Sequence, residues 1–298
     1  MKAQFHKVPV SMQSSFAIRH DIKPYFNTTW HYHPELELVY TIKGEGVRLI
    51  GDNVSRFSPG EIVLVGANLP HVWRCDEEYF QDTPALQAEA IVLQFTPECL
   101  GRYLLNLPEA YLIPILFEKA KSGLVVDGET KLRLEPLMRP AVHATDLDRV
   151  ILLLSILKII SESHEVHLIN SKHHAFKQSN ESDMQRINKI CNYTLSNYKK
   201  EIMLEEVASL SNLSVTSFCR YFKLITKKTY YDFLIKIRVS QACRLLIADK
   251  LLTEVICSEC GFNNVSNFYR HFKKITKLTP LGYKRTYLRN YKATPVGA

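Results

Sequence analysis

The chain has 298 residues, 46% of them hydrophobic and 23% charged, a composition that supports packed cores and excludes wholesale disorder. Its most apolar run, "VILLLSILKII" at 150–160, is broken by Lys158 and falls short of the ~20 residues a membrane span needs; the N-terminus lacks a secretory signal's apolar segment, so a cytoplasmic protein with no membrane partner is expected. The net charge of +8 is uneven: residues 184–298 hold 20 Lys and Arg against 7 Asp and Glu, residues 1–183 hold 18 against 23, the pattern of a polyanion-binding module joined to a partner domain.

Up to residue 96 the chain is a series of short β-prone runs. "LELVYTI" (36–42), "GVRLI" (46–50), "EIVLVG" (61–66) and "AEAIVLQF" (88–95) alternate with the turn signals "KGEG", "GDN" and "SPG", which predicts a β-barrel or sandwich. From Pro97 the texture becomes helical. "YLIPILFEKAKSG" is expected to be interrupted at Pro114, and 146–164 to form one long helix. Its apolar stripe of Val150, Leu153, Leu154, Leu157 and Ile160 predicts a helix–helix interface, either within the chain or across a dimer. Residues 170–183 are polar and unpatterned and read as a linker. From 184 onward the pattern is helical. Cys257 and Cys260 form a lone C-x-x-C with no second pair, which predicts two buried core thiols.

Within the helical region a phrase is written twice. "RYFKLITKKT" (220–229) and "RHFKKITKLT" (270–279) agree at seven of ten positions, and each lies in the second helix of a helix, turn, helix unit. In one copy Phe218, Phe222 and Ile225 form an inward stripe, leaving Thr216, Ser217, Arg220 and Lys223 outside. In the other, Phe268, Phe272 and Ile275 face in, and Ser266, Asn267, Arg270 and Lys273 face out. A helix with an aromatic inner face and a short polar-basic outer face suits a DNA major groove. Arg forks onto guanine, Asn onto adenine, and Lys or Ser takes phosphate oxygens. Ser214 and Asn264 are placed as N-caps.

Residues 184–290 resemble the DNA-binding domain of the AraC/XylS family of transcription regulators. Ala208, Leu213, Ser214, Phe218, Arg220, Phe222 and Lys223 carry the likeness in the first unit, Arg238, Ala242, Leu245 and Leu246 in the middle helix. Gly261, Phe262, Phe268, Arg270, Phe272, Lys273, Thr279, Pro280 and Tyr283 carry it in the second unit. The resemblance implies that the middle helix sets both recognition helices into successive major-groove segments about one DNA turn, ~34 Å, apart. It puts Thr216, Cys219 and Arg220, and Ser266, Asn267, Tyr269 and Arg270, against the bases. Two departures are Lys227 and Lys277, where the family usually ends each recognition helix with glycine.

The stretch "WHYHPELELVYTIKGEG" places His31, His33, Glu35, Glu37 and Val39 on one strand parity, and "SPGEIVLVGANLPHVW" ends with His71. Through His31, His33, Glu37, Gly44, Pro59, Gly60 and His71 this region resembles the cupin barrels, whose enzymes hold a divalent metal with such a set. Regulators of the family also begin with cupin-like sensors in which these groups line a metal-free ligand pocket. Three readings stand open for His31, His33, Glu37 and His71: ligand pocket, metal site, or hydrogen-bonded core.

The expected whole is α+β. A cupin-like sensor barrel (1–96) is followed by a helical dimerisation segment (97–169), a linker (170–183) and an all-α domain with two helix-turn-helix units (184–290). The function implied is that of a homodimeric, effector-controlled transcription regulator with activator character, whose partners are promoter DNA, a small molecule and RNA polymerase. No catalytic residues and no obligatory cofactor are expected. The alternative is a metal-dependent cupin enzyme fused to a DNA-binding domain.

Overall fold

The computed structural model describes residues 14–26, 29–81, 86–170, 181–226 and 228–293, and the chain divides into two compact units, Met1–Gln185 and Arg186–Ala298. Lys227 and most of the stretch read as a linker, 171–180, lie outside the described residues. Among the described residues no helix is long and apolar enough to cross a membrane.

Among the described residues the first unit holds nine strands: β1 (Ala17–Lys23), β2 (Leu36–Lys43), β3 (Gly46–Ile50), β4 (Asn53–Phe57), β5 (Ile62–Val65), β6 (His71–Cys75), β7 (Ala88–Phe95), β8 (Leu124–Val126) and β9 (Val166–Leu168). They form a six-stranded sheet in the order β1-β7-β2-β5-β8-β9 and a three-stranded sheet β4-β3-β6, antiparallel at every pairing. Side chains alternate faces along a strand. Val39, Val63, Val65, Ala90 and Val92 of the larger sheet therefore meet Ile50, Phe57, Trp73 and Cys75 of the smaller one in a shared core. The opposite face, with Leu36, Leu38, Tyr40, Ile62, Leu64, Ile91 and Leu93, packs against helices. Burial on both faces explains why β7, "AEAIVLQF", is apolar almost throughout.

The helices of this unit are α1 (Arg102–Leu105), α2 (Leu112–Ala120), α3 (Gly128–Ala141) and α4 (Asp146–Ser161). Two expectations need correction, and a choice left open is decided. Pro114 does not interrupt α2; it is the helix's third residue, where the backbone nitrogen needs no intrahelical partner. The segment 97–169 is not wholly helical, because β8 and β9 extend the larger sheet. The stripe on α4 serves this chain's own core: Leu153, Leu157 and Ile160 are each 1% exposed and pack with Leu116, Leu134 and Met138 of α2 and α3, beside the part-buried Val150. Leu153 and Leu157 are therefore closed to a partner. The exposed large apolar residues of α4 are Leu147 and Ile151, 68% and 50% exposed.

Two side chains fasten the end of this unit. Glu165 caps α3, accepting from the backbone N–H of Thr130 at 2.8 Å and from its hydroxyl at 2.7 Å. Asn170 is 5% exposed; its Nδ2 donates to the Ser122 carbonyl at 2.8 Å, and its Oδ1 accepts from the Asp52 N–H at 3.2 Å. Beside it Asn53 Nδ2 donates to the Ile169 carbonyl at 3.0 Å.

Among the described residues seven helices follow: α5 (Glu181–Asn197), α6 (Leu204–Leu210), α7 (Val215–Thr226), α8 (Tyr230–Ala248), α9 (Thr253–Glu259), α10 (Val265–Thr276) and α11 (Pro280–Ala293). Helix α5 begins at Glu181, inside the stretch read as linker. Helices α6–α7 and α9–α10 are the two helix-turn-helix pairs, and α8 is the spine between them. Tyr230 and Phe233 of α8 pack on Phe222, and Tyr230 also on Phe218, while Ile235, Val239, Ala242 and Leu246 join Phe268 and Phe272. A helix serving two cores has to be apolar on several faces, and α8 is. Cys257 and Cys260 are buried in the second of these cores, as free thiols.

Candidate DNA interface and barrel site

The aromatic stripe positions both recognition helices, α7 and α10. Phe218, Phe222, Phe268 and Phe272 are each 0% exposed, which fixes the rotation of each helix and turns the opposite face outward. The third members of the stripes behave differently from expectation. Ile225 is half-buried and Ile275 is 36% exposed, because each lies in the last turn, past the core.

Outward on α7 stand Thr216, Ser217, Cys219, Arg220 and Lys223, all exposed. On α10, Ser266, Arg270 and Lys273 are exposed, while Asn267 and Tyr269 are half-buried. Tyr269 leans into the second core against Phe268, with ring centroids 5.7 Å apart. Arg270 Nη2 donates to Asn267 Oδ1 at 2.7 Å, so these two side chains are ordered together one turn apart. Ser214 Oγ accepts from Ser217 N at 3.3 Å and Asn264 Oδ1 from Asn267 N at 3.0 Å, the N-caps expected of them. Lys277 ends α10 with φ of 65°, the left-handed conformation that glycine adopts more cheaply.

The second constellation lies between the two sheets of the first unit. His31, His33, Glu37 and His71 each turn one ligating atom inward, all within 4.8 Å of one another. Only Glu37 belongs to β2; His31 and His33 precede it, and His31 is held by a two-way backbone bridge to His71, with N···O distances of 3.1 and 2.9 Å. His33 and His71 are 1% exposed and Glu37 4%, while His31 is half-buried at the mouth.

The three rings are oriented alike. Each Nδ1 lies on a backbone carbonyl: His31 on Thr29 at 2.6 Å, His33 on Glu35 at 3.1 Å, His71 on Leu69 at 2.7 Å. A carbonyl only accepts, so every Nδ1 carries a hydrogen, and a neutral ring then offers its Nε2 lone pair to the centre. His33 Nε2 lies 3.1 Å from Glu37 Oε2. Burial works against charge on His33, but its hydrogen bond to Glu37 and the nearby carboxylates of Glu37 and Glu35 win and raise its pKa. Burial likewise opposes the Glu37 charge, yet the His33 bond and the three imidazoles hold it well below the usual carboxylate range. His71 is pushed far down, first by burial and then by the charge of His31. Among the described residues its Nε2 has no hydrogen-bond partner, and it lies 3.6 Å from Glu37 Oε1.

Gln94 completes the site. It stands opposite Glu37 in the β2–β7 register, is 1% exposed, and donates to Glu37 Oε2 at 2.5 Å; Arg19 in turn donates to Gln94 Oε1. The sequence carries a faint signal of it: one of only two polar residues in an otherwise apolar strand.

A site of three imidazoles and one carboxylate, each ring backed by a hydrogen bond, has the donors that first-row divalent metals take, and the unpartnered His71 Nε2 is aimed where such an ion would bind. The same groups can equally donate to and accept from a polar organic ligand.

Comparison with known proteins matches residues 186–286 to a helix-turn-helix domain and residues 19–79 to a cupin domain. The chain is 22% identical over 264 residues to the uncharacterized HTH-type transcriptional regulator YdeC of Bacillus subtilis (strain 168), covering 86% of this chain and 85% of that protein. It is 21% identical over 301 residues to the HTH-type transcriptional activator RhaR of Mannheimia succiniciproducens, covering 97% and 98%. An uncharacterized HTH-type regulator of Pseudoalteromonas carrageenovora is 38% identical over 95 residues, 32% of this chain and 56% of that protein. Two outward-facing helices in a basic helical domain, a cluster of ionisable groups between the sheets before it, and regulators matching along nearly the whole length lead to one reading: the chain is a DNA-binding transcription regulator that carries a helix-turn-helix domain similar to those of the AraC type and an N-terminal cupin domain.

Proposed function

We propose that the cupin domain is the regulator's sensor, and that a small-molecule effector bound at His31, His33, Glu37 and His71 controls DNA binding by α7 and α10 in the cytoplasm. The observation that supports it is the convergence of four ionisable side chains on one point, with no hydrogen-bond partner for His71 Nε2 among the described residues. The DNA-facing residues in this reading are Thr216, Ser217, Cys219, Arg220 and Lys223 on α7, and Ser266, Asn267, Tyr269, Arg270 and Lys273 on α10. Arg220 and Arg270 read bases, Lys223 and Lys273 neutralise phosphates, and Tyr269 contributes only its exposed edge.

The test is a thermal-shift screen of the full chain against sugars and aromatic acids, followed by operator binding with and without each hit. His31→Ala combined with His71→Ala is expected to abolish the ligand shift and the response while leaving operator affinity in place. Retained induction in the double variant would remove the cluster from the sensory role.

A second reading rests on the same unpartnered nitrogen: a divalent metal held by the three Nε2 atoms and Glu37, either as the signal or as the ligand's anchor. Metal analysis of the purified protein and the effect of a chelator on induction separate the two. Loss of response on chelation, restored by added divalent ion, selects the metal. The homodimer implied by the resemblance requires a surface other than Leu153 and Leu157, and on α4 the exposed Leu147 and Ile151 supply one. Leu147→Glu with Ile151→Glu is expected to yield a monomer in sedimentation with the first unit still folded. RNA polymerase is the partner that an activator bound at a promoter would engage.

A further inference from the structure

Arg238 lies mid-way along α8, on a helix whose two ends serve the two helix-turn-helix cores. Its side chain does not reach outward toward a DNA-facing surface. Nε donates to the Tyr198 carbonyl at 2.9 Å, and Nη2 donates to the Lys200 carbonyl at 2.7 Å. Those carbonyls belong to the connector between α5 and α6, the segment that leads into the first helix-turn-helix. The guanidinium carbon also lies 5.9 Å from the centre of the Phe262 ring, in the turn between α9 and α10 of the second unit.

The turn is fitted to the same place. Gly261 has φ of 77°, and a Cβ built there would meet the Tyr198 carbonyl oxygen at 2.4 Å and Arg238 Nε at 3.0 Å. The backbone of the second turn thus packs directly on the connector that enters the first helix-turn-helix, with the guanidinium beside it. One side chain therefore touches three pieces of chain: the spine that carries it, the entry to the first helix-turn-helix, and the turn of the second.

We infer that Arg238 is a positioning residue that sets the register between α7 and α10, and with it the spacing of the two DNA segments the protein accepts. The inference rests on the reading that both helices enter the groove. A guanidinium is suited to this task because its planar fork satisfies two backbone carbonyls at once, and its flat face packs on an aromatic ring. An apolar side chain of similar length fills the space and binds neither carbonyl. Two binding modules on a stiff frame gain affinity because the second engages at high effective concentration; loosening the frame lowers that gain and blurs the preferred spacing.

The probe is a duplex selected from a random-sequence pool by the full-length wild-type protein. Affinity is then measured on that duplex and on versions with one or two base pairs inserted or removed between the two protected segments. Wild type is expected to fall sharply on every altered spacing. Arg238→Met is expected to lose roughly tenfold on the selected spacing and much less on the altered ones, so that the ratio between spacings contracts. Arg238→Lys, which keeps one donor, is expected to fall between the two. Thermal melts are run on both variants; should Arg238→Met fail to fold, the Lys variant decides by its ratio alone. Unchanged spacing ratios in the folded variants, whether affinity is kept or lost uniformly, would overturn the inference. A wild type indifferent to spacing would instead overturn the two-groove reading beneath it.

Discussion

The two helix-turn-helix units share a frame and differ in what they present on it. In both, the phrase Ile-Thr-Lys-x-Thr works as punctuation. Thr226 Oγ1 donates to the Phe222 carbonyl and accepts from Lys228 N, and Thr276 repeats both bonds with Phe272 and Leu278. Thr229 then caps α8 through Asp232 N, and Thr279 accepts from Gly282 N at the start of α11. The two repeated threonines therefore stop one helix and start the next. The outward faces have diverged. Arg270 is held by Asn267, whereas Arg220 has no side-chain partner among the described residues. The repetition reports shared folding requirements, and the differences report what each helix reads.

The largest effects should fall on the shared frame. Phe222→Ala and Phe272→Ala each empty a fully buried aromatic position and are expected to cost about 3–5 kcal/mol in chemical denaturation. Nearly equal costs support equivalent frames, while a cost near zero for one would break the equivalence. Next come the arginines: Arg220→Ala and Arg270→Ala should each weaken specific DNA binding by about 1–3 kcal/mol and relax preference only in their own segment of the footprint. Asn267→Ala should also impair reading in the second segment alone, since it frees Arg270; an unchanged footprint would show that the 2.7 Å pair has no bearing on recognition.

Smaller differences belong to the helix ends. Asn264→Ala is expected to destabilise by about 1 kcal/mol, and Ser214→Ala by less because its bond is longer and its hydroxyl is shared with Ser217. Lys277→Gly should stabilise by up to about 1 kcal/mol by relieving a left-handed lysine, which thermal melts can resolve. Smallest at any single salt concentration are Lys223→Ala and Lys273→Ala. Each should weaken all DNA sequences alike and reduce the slope of log affinity against log salt by about 1.

The frame was readable in advance because its signals are local: paired phenylalanines one turn apart, a glycine in the second turn, caps before both recognition helices. The cluster of His31, His33, Glu37 and His71 was readable because the short spacing of its first three members leaves few ways to separate them. Gln94 was not, since only strand pairing sets it opposite Glu37. The stripe on α4 announced an interface but could not name the partner; α2 and α3 of the same chain fill it, and a helix period carries no information about what lies across it. Strands β8 and β9, three residues each, are too short to show an alternation. Ile225 and Ile275 kept the period of the core after the core had ended.

Asn170 and its neighbours have a mechanical consequence. The bonds from Asn170 to Ser122 and Asp52, and from Asn53 to Ile169, knot the end of the first unit to the tip of the β3–β4 hairpin. A displacement of Asn170 would be felt first at that knot. The hairpin then bears the load, and its inner strand sets Ile50 directly opposite His71. A shift at Asn170 and a change at the histidine cluster would therefore bear on the same three-stranded sheet.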